Sequence, residues 1–361
     1  MRRAVLLGNP DTKRTVYFQK AAIQEGLSFS LLEWGKQTSC FPDGDLFLKI
    51  DPPVWTSCSL GELECLTAAY REELNRLDEL TKKRVVEFFN TPSVITELLD
   101  KYECKMRLKK AGLPVTELLT GDSGCGIDPS GLSIPEESCR VRRTGDIRNA
   151  EQLLAEMERK RWRRVFIKPV CGSGAAGVSA FCLQPGTGRM SLYTCASKEE
   201  KAELINTKKL RHLMEPGEIR MFLDGILRMD CVIERWYAKA MRGEYVYDLR
   251  VVMQEGRMDY LLARLSKGPI TNLQLNNHPC SIEELELPLK VVEEVEELCQ
   301  RAMDCFPGLG CAGIDILLEK GSLKPRIIEM NAQGDLIYQD IYHDNIIYRR
   351  QAQRMKTWLC V

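Results

Sequence analysis

The segment RIIEMNAQGD, residues 326–335, combines the pattern of a buried β-strand with two polar side chains that a core strand would not carry. Because side chains alternate between the two faces of a strand, Ile327, Glu329 and Asn331 are predicted to share one face. A carboxylate and an amide on one face of an otherwise apolar strand cost free energy unless a partner binds them. The segment is therefore the first candidate for a functional site.

The strand CAGIDILLEK lies just upstream and supplies a second carboxylate. If the two strands pair through the turn at residues 321–322, Asp315 lies on the same face as Glu329 and Asn331. Two carboxylates and an amide are hard oxygen ligands that suit Mg²⁺, which shares phosphate oxygens with its protein ligands. Asp315, Glu329 and Asn331 are therefore predicted metal ligands, and the alternative is a solvated strand edge with incidental polar residues.

A glycine-rich loop, GSGAAG, spans residues 172–177 and matches the G-x-G-x-x-G pattern of dinucleotide-binding loops. In that fold a helix begins at the last glycine, whereas the segment VSAFCL that follows here has the composition of a strand. The loop is therefore predicted to connect two adjacent strands and to lay backbone N–H groups over phosphates. Lys168 ends the preceding strand and is a predicted phosphate anchor, with a hairpin that binds no ligand as the alternative.

The composition limits the class of protein. A chain of 361 residues is long enough for two or three compact domains. Lys plus Arg and Asp plus Glu both number 51, so the chain has no electrostatic reason to bind nucleic acid or an anionic membrane. Its apolar runs are too short to cross a bilayer and no signal-like segment is evident, so a cytoplasmic protein is expected. The fifteen cysteines lack C-x-x-C spacing and are expected to be mainly structural.

Periodicity and capping signals predict the elements that position these motifs. The first part has the pattern of a small α/β unit, with helices over residues 14–25 and 61–77. Thr91 and Pro92 mark the start of a helix that ends at Gly112. Residues 121–135, rich in Gly, Ser, Pro and Asp, predict a surface loop, and a further helix is predicted over 282–305.

The order of these parts resembles the ATP-grasp superfamily, in particular the branch that contains bacterial glutathione synthetase and the glutamate ligase that modifies a ribosomal protein. The likeness covers residues 91–336. It implies an α/β (α+β) ATP-grasp fold in a bacterial protein, with an N-terminal Rossmann-like domain over residues 1–90. A central subdomain with the glycine-rich lid would occupy 91–235, and a C-terminal subdomain with the metal site would occupy 236–361. The implied cofactors are ATP and Mg²⁺, with Mn²⁺ as an alternative metal.

The resemblance also implies which residues bind the nucleotide. The segment LLDKYECKMRLKKAGLPV is similar to the helix that carries the first ATP lysine, which gives Lys101, with Lys105 as the alternative. FIKPVCGSGAAGV gives the second lysine and the phosphate-covering loop, CVIERW gives the acid of the adenine linker, and DLRVV and ARLSKGPITNL give further contacts. The implied nucleotide-binding residues are Lys101, Lys168, Gly172, Ser173, Gly174, Gly177, Glu234, Asp248 and Asn272.

The activity that the resemblance implies is an ATP-dependent carboxylate–amine ligase that releases ADP and phosphate through an acyl phosphate. Arg264 and then Arg250 would stabilise the oxyanion of the tetrahedral intermediate, and together with Lys168 they form the predicted catalytic set. The expected partners are a small-molecule or peptide carboxylate and an amine acceptor, with a homodimer or biosynthetic-pathway partners as further expectations. The alternatives are an ATP-binding regulatory or scaffold subunit without ligase turnover, and an ATP-grasp kinase.

Three features depart from that branch. The linker after Glu234 is longer and contains AKAMRGEY. Its Lys239, Met241 and Arg242 are predicted to lie in a solvated basic loop, and the alternative is contact with an acidic or peptide substrate. Ile270 takes the place of an arginine in the glutamate ligase. AQGD follows the metal strand where the family often has Ser-Pro-Gly, so Gln333 and Asp335 are predicted to face the unknown acceptor.

Overall fold

The computed structural model describes residues 1–36, 41–54, 57–119, 147–172, 175–184, 186–198, 204–333 and 344–360. Across these residues the chain forms three β-sheets with helices packed against them. This mixed α/β architecture confirms the predicted fold class. The cysteines that the structure describes are free thiols. None of the helices in the described ranges combines the length and hydropathy that a bilayer crossing needs.

The N-terminal sheet is parallel. Its elements are β1 (Arg2–Gly8), α1 (Lys13–Glu25), β2 (Ser30–Glu33), β3 (Asp45–Ile50), α2 (Leu60–Asp78) and β4 (Val86–Phe88). The strand order is β2-β1-β3-β4. Both predicted helices are present, but β3 was not predicted because it is buried along most of its length and lacks alternation.

A second capping residue breaks the helix predicted from Thr91 to Gly112. Thr91 caps α3 (Pro92–Leu98) as predicted, but α4 (Lys101–Lys110) starts anew after Asp100. The Asp100 carboxylate accepts hydrogen bonds from the backbone N–H groups two and three residues later, at 3.0 and 3.1 Å. The break places Lys101 in the first turn of α4.

The lid sheet is antiparallel, with α5 and α6 beside it. Its elements are α5 (Ala150–Arg159), β5 (Arg164–Pro169), β6 (Ser179–Leu183), β7 (Met190–Lys198), β8 (Leu204–Leu213), α6 (Pro216–Ile226) and β9 (Cys231–Arg235). The strand order is β8-β7-β6-β5-β9. Strands β5 and β6 pair directly, so the glycine-rich loop connects adjacent strands as predicted. The surface loop predicted over residues 121–135 lies outside the described residues.

The C-terminal sheet is also antiparallel. Its elements are β10 (Met241–Arg242), β11 (Tyr245–Gln254), β12 (Arg257–Ser266), β13 (His278–Cys280), α7 (Ile282–Leu285), α8 (Leu289–Asp304), β14 (Cys311–Leu318), β15 (Pro325–Asn331) and α9 (Ile346–Cys360). The order is β13-β12-β11-β14-β15, with β10 on β11. The helix predicted over 282–305 is two helices, because Glu286 ends α7 in a left-handed conformation (φ 54°) and Pro288 precedes α8 as its N-cap residue.

A β-bulge between β14 and β15 changes which side chains reach the polar face. Asp315 pairs with Glu329 and Ile316 pairs with Ile327, so Ile328 is an extra residue. Ile327 is 1% exposed and belongs to the core, whereas Ile328 lines the same cavity as Glu329. The prediction that Ile327 shares the polar face was therefore wrong, because strict alternation fails at a bulge.

Asn90 ties the start of β14 to the end of β15. Its Nδ2 donates to the carbonyls of Cys311 and Ala332. Its Oδ1 accepts hydrogen bonds of 2.9 Å from the N–H groups of Gly310 and Cys311. Asn90→Ala is expected to lower the free energy of unfolding by about 2–4 kcal/mol, because several buried backbone groups lose their partners. Urea unfolding measures this. Gln353→Ala removes an exposed amide and serves as the control, and equal stability of the two variants would contradict the assignment.

Candidate active site

A cavity of about 690 Å³ is lined by residues from the lid sheet, the C-terminal sheet and the N-terminal unit. This volume is typical of small-molecule and cofactor sites. Folding brings together predicted site residues that are far apart in the sequence. Those that line the cavity are Lys101, Lys168, Gly172, Glu234, Asp248, Arg250, Arg264, Asn272, Asp315, Glu329 and Asn331.

Three predicted loop residues do not belong to this described lining. Ser173 and Gly174 lie outside the described residues. Gly177 has a φ of +68°, and a β-carbon there would lie 2.9 Å from side-chain atoms of both Leu60 and Pro169. The structure thus places Gly177 in a tight packing position at the end of the loop, where a side chain would not fit.

The predicted metal ligands share one face of the β14–β15 pair. Asp315 lies directly opposite Glu329, and Asn331 lies opposite Gly313 two positions along. In the described part of the chain no three His, Cys, Asp or Glu side chains lie close enough together to hold a metal ion. The predicted metal ligands instead combine two carboxylates with one amide. That set fits Mg²⁺, which keeps several water or phosphate oxygens among its ligands. Burial opposes the charge on Glu329, but Lys168, Lys101 and Arg250 lower its pKa.

Both predicted catalytic arginines contact Asp315, one of the predicted metal ligands. Arg250 Nε lies 3.0 Å from Asp315 Oδ1, and Arg264 Nη2 lies 3.1 Å from Asp315 Oδ2. Arg264 Nε also donates to Asp248 at 2.8 Å. Burial raises the pKa of Asp315, although the two arginines oppose the change. The arrangement places two guanidinium groups beside the carboxylate that is proposed to bind metal.

Lys239 is part of the site, although a solvated loop was predicted for it. The residue is 7% exposed and lines the cavity. Its Nζ donates to Asp248 at 3.2 Å and to Thr271 at 2.8 Å, and burial lowers its pKa despite the nearby Asp248. The prediction was wrong because the inserted segment folds over the buried carboxylate. Met241 and Arg242, later in the same segment, are exposed as predicted.

Glu234 lies between two lysines at the junction of the lid sheet and the C-terminal sheet. It is 2% exposed, and it contacts Lys168 Nζ at 3.0 Å, Lys105 Nζ at 2.8 Å and the Thr116 hydroxyl at 2.8 Å. Burial alone would raise the pKa of Glu234, but Lys105 and Lys168 together lower it to about 2. Lys168 lines the main cavity, whereas Lys105 lies behind Glu234.

Lys101 holds the base of the glycine-rich loop. Its Nζ donates to the carbonyl of Gly172 at 2.7 Å and to that of Val170 at 3.3 Å. Lys101 also lines the cavity, which Lys105 does not. The placement therefore favours Lys101 over Lys105 as the first phosphate-binding lysine, and its role stays a prediction.

Several cavity residues carried no sequence signal. Thr116, Thr271 and Arg14 line the cavity, but none lies in a motif whose spacing singles it out. Thr271 could have been found by its position next to Asn272. Gln333 lines the cavity, and Asp335 lies outside the described residues.

Gly313 gives Arg250 the space that it occupies. A β-carbon at Gly313 would lie 2.7 Å from Arg250 Nη1, an atom that is buried and lacks a hydrogen-bond partner among the described residues. Gly313→Ala is expected to displace the guanidinium and to lower kcat for ADP release by about tenfold with little change in the KM for ATP. Steady-state kinetics measure this effect.

The double variant Gly313→Ala with Arg250→Met shows whether Gly313→Ala lowers kcat by displacing Arg250. If it does, the double variant is no slower than Arg250→Met alone, because coupled changes are not additive. Gly225→Ala, in α6 and remote from the cavity lining, is the matched control for the glycine replacement. Additive effects of the two changes would contradict the positioning role of Gly313.

Several solved structures align with this chain along nearly its whole length, and proteins described as ATP-grasp ligases are among them. D-cycloserine synthetase DcsG shares 12% identity and a TM-score of 0.55, covering 98% of this chain and 99% of that one. Macrocyclase MdnC from Microcystis aeruginosa, bound with the precursor peptide MdnA, shares 11% identity and a TM-score of 0.59 over 99% and 100%. The ligase PsnB, complexed with a precursor variant, Mg and ADP, shares 13% identity and a TM-score of 0.53 over 98% and 96%.

The chain therefore has the ATP-grasp fold. No family model matches the sequence, and no curated protein sequence matches it significantly. At identities of 11–13% the structural likeness shows the fold, and the assignment to the glutathione synthetase branch stays a prediction.

Proposed function

We propose that the protein is an ATP-dependent ligase that joins a carboxylate to an amine. The observation that carries the proposal is the pairing of Asp315 with Glu329 on one cavity wall, with Lys101 and Lys168 lining the same cavity. Carboxylates that hold a metal and lysines that offset phosphate charge are the parts that phosphoryl transfer needs. The names of the structural neighbours, which include a synthetase and peptide macrocyclases, support this reaction class.

Each part of the cavity has a proposed task. Asp315, Glu329 and Asn331 would hold Mg²⁺, which would neutralise phosphate charge there. Lys101 and Lys168 contact the phosphates of ATP, and the adenine lies along the linker that follows Glu234. The substrate carboxylate attacks the γ-phosphorus, ADP leaves, and an acyl phosphate forms.

The amine then adds to the acyl carbon and phosphate leaves, which gives an amide. Arg264 and Arg250 lie beside Asp315 and offset the negative charge that develops on the oxygen. The described part of the glycine-rich loop lines the cavity with Gly172, Ala175 and Ala176, and we propose that it shields the phosphates from water, because an acyl phosphate hydrolyses when water reaches it. A peptide is proposed as one of the two substrates because solved structures of MdnC and PsnB contain precursor peptides.

The test is ADP release from Mg-ATP across a panel of amino acids, small acids and peptides, with the product mass measured. A ligase gives ADP, phosphate and a product that has gained the amine with loss of water. A phosphorylated product without an amide would assign a kinase. ATP binding without ADP release from any panel member would favour a regulatory or scaffold subunit.

A further inference from the structure

The cavity continues beyond the proposed ATP site into the N-terminal unit. Residues of that unit in the described lining are Thr12, Arg14, Pro52, Pro53, Val54, Ser57, Leu63 and Thr67. Arg14 is the charged residue in this described set, and the others are neutral. This end of the cavity therefore combines one positively charged residue with neutral hydroxyl and apolar residues, which differs from the densely charged ATP end.

The local sequence determines where Arg14 lies. Strand β1 ends at Gly8, and the Thr12 side chain caps α1 by accepting a hydrogen bond from the Thr15 N–H. Arg14 consequently sits in the first turn of α1, at the carboxyl end of the parallel strands. Ligands of open α/β sheets bind at this edge.

Hydrogen bonds connect Arg14 with the residues that follow β15, the strand that carries the predicted metal ligands Glu329 and Asn331. Arg14 Nη1 donates to the backbone carbonyl of Gln333, which follows Asn331 by two residues. The Gln333 side chain accepts from the Tyr70 hydroxyl at 2.7 Å and donates to the Ile50 carbonyl at 2.7 Å. Gln333 lies in the turn that directly follows β15, so even a fully extended chain would place it no more than about 7 Å from Asn331. Arg14 is thus held within a small molecule's length of the proposed metal site.

An apolar surface lies beside Arg14. The N–H of Val54 donates to the Asn9 side chain at 3.2 Å, which holds the segment Pro52–Pro53–Val54 against the loop that leads into α1. Val54 is 51% exposed although it lines the cavity. An exposed aliphatic side chain at a cavity wall gains free energy when a ligand covers it.

We propose that Arg14 binds the carboxylate that is phosphorylated, and that Pro52, Pro53 and Val54 contact an apolar group next to that carboxylate. The inference rests on the proposed ligase function. It names the substrate class as a carboxylate with an apolar neighbour, such as an amino acid or peptide end with an aliphatic side chain. A second carboxylate in place of the apolar group would lose its water against this neutral wall.

Two neighbouring cations provide a matched comparison. Arg14→Gln removes the proposed carboxylate ligand, and Lys13→Gln makes the same change of charge one residue earlier on α1. Lys13 is exposed and lies outside the cavity lining. Arg14→Lys keeps the charge but loses the planar fork that matches a carboxylate, so an intermediate effect is expected from it.

Binding is measured by calorimetry on protein loaded with Mg-ADP, using leucine against glutamate and 4-methylpentanoate against glutarate. The wild-type protein is expected to bind the aliphatic member of each pair more tightly. Arg14→Gln is expected to weaken that binding by about tenfold or more, because a charge-assisted bidentate contact is lost. Lys13→Gln is expected to stay within about twofold of wild type, and ADP affinity is expected to be unchanged in both variants.

Equal affinity of Arg14→Gln and wild type, preference for the diacids, or failure of all four acids to bind the wild-type protein would each overturn the inference. ADP release assayed in parallel separates this inference from the proposed function. Binding that depends on Arg14 without any ADP release would support the subsite and overturn the ligase. Turnover that is indifferent to Arg14→Gln would support the ligase and overturn the subsite.

Discussion

Replacement of Glu329 by glutamine is expected to lower the rate of ADP release by about a thousandfold, because the variant loses the charge of a proposed metal ligand while keeping its shape. Glu329 faces Asp315 across the strand pair, and Lys168, Lys101 and Arg250 hold its pKa below the usual value against the effect of burial. These three cations therefore favour the charged form of the carboxylate. Glutamine cannot supply that charge to a cation or balance these three neighbours.

Metal binding gives a second measurement that does not depend on turnover. Mn²⁺ bound in the presence of ADP can be counted by electron paramagnetic resonance, and Glu329→Gln is expected to reduce its affinity by at least about tenfold. Glu319→Gln is the matched control, because Glu319 follows β14 directly, pairs with Arg326 and lies outside the cavity lining. A Glu329→Gln enzyme that keeps wild-type turnover and Mn²⁺ affinity would refute the proposed metal site.

The residue placements that the sequence predicted correctly are encoded locally, whereas the roles of these residues stay predictions. Asp315, Glu329 and Asn331 lie on a pair of strands joined by a short turn, so alternation within each strand was enough to place them on one face. Lys168 and the glycine-rich loop likewise occupy one strand-loop-strand unit. In each unit the two strands are close in the sequence, so the local pattern of apolar and polar residues predicts how they pair.

The parts that the sequence did not predict depend on contacts between distant segments. Arg14 meets the backbone of Gln333, 319 residues later, and no local period reports such a contact. Lys239 has the composition of a surface loop, and its burial follows from Asp248 and Thr271 lying beneath it. The bulge that moved Ile327 into the core adds a single residue to one strand, which alternation alone cannot detect.

Lys168→Met is expected to lower ADP release by about a hundredfold or more and to raise the KM for ATP, because the cavity loses the cation that we propose to contact the phosphates. Methionine keeps the apolar stem of the side chain. Lys168 contacts Glu234 at 3.0 Å, and Glu234 and Glu329 raise its pKa although burial opposes its charge. The steady-state rate of ADP release and the KM for ATP measure the effect.

Lys105→Met separates a phosphate contact from a structural ion pair. Lys105 and Lys168 contact the same buried carboxylate, that of Glu234, but Lys168 alone of the two lines the main cavity. Removing Lys105 is therefore expected to lower the free energy of unfolding by about 1–3 kcal/mol, because the buried Glu234 carboxylate loses one of its two cationic partners but keeps Lys168. The KM for ATP of the fraction that remains folded should change little. If Lys105→Met instead raised the KM for ATP as much as Lys168→Met, the nucleotide would have to reach behind Glu234, and the proposed placement of its phosphates along Lys101 and Lys168 would be wrong.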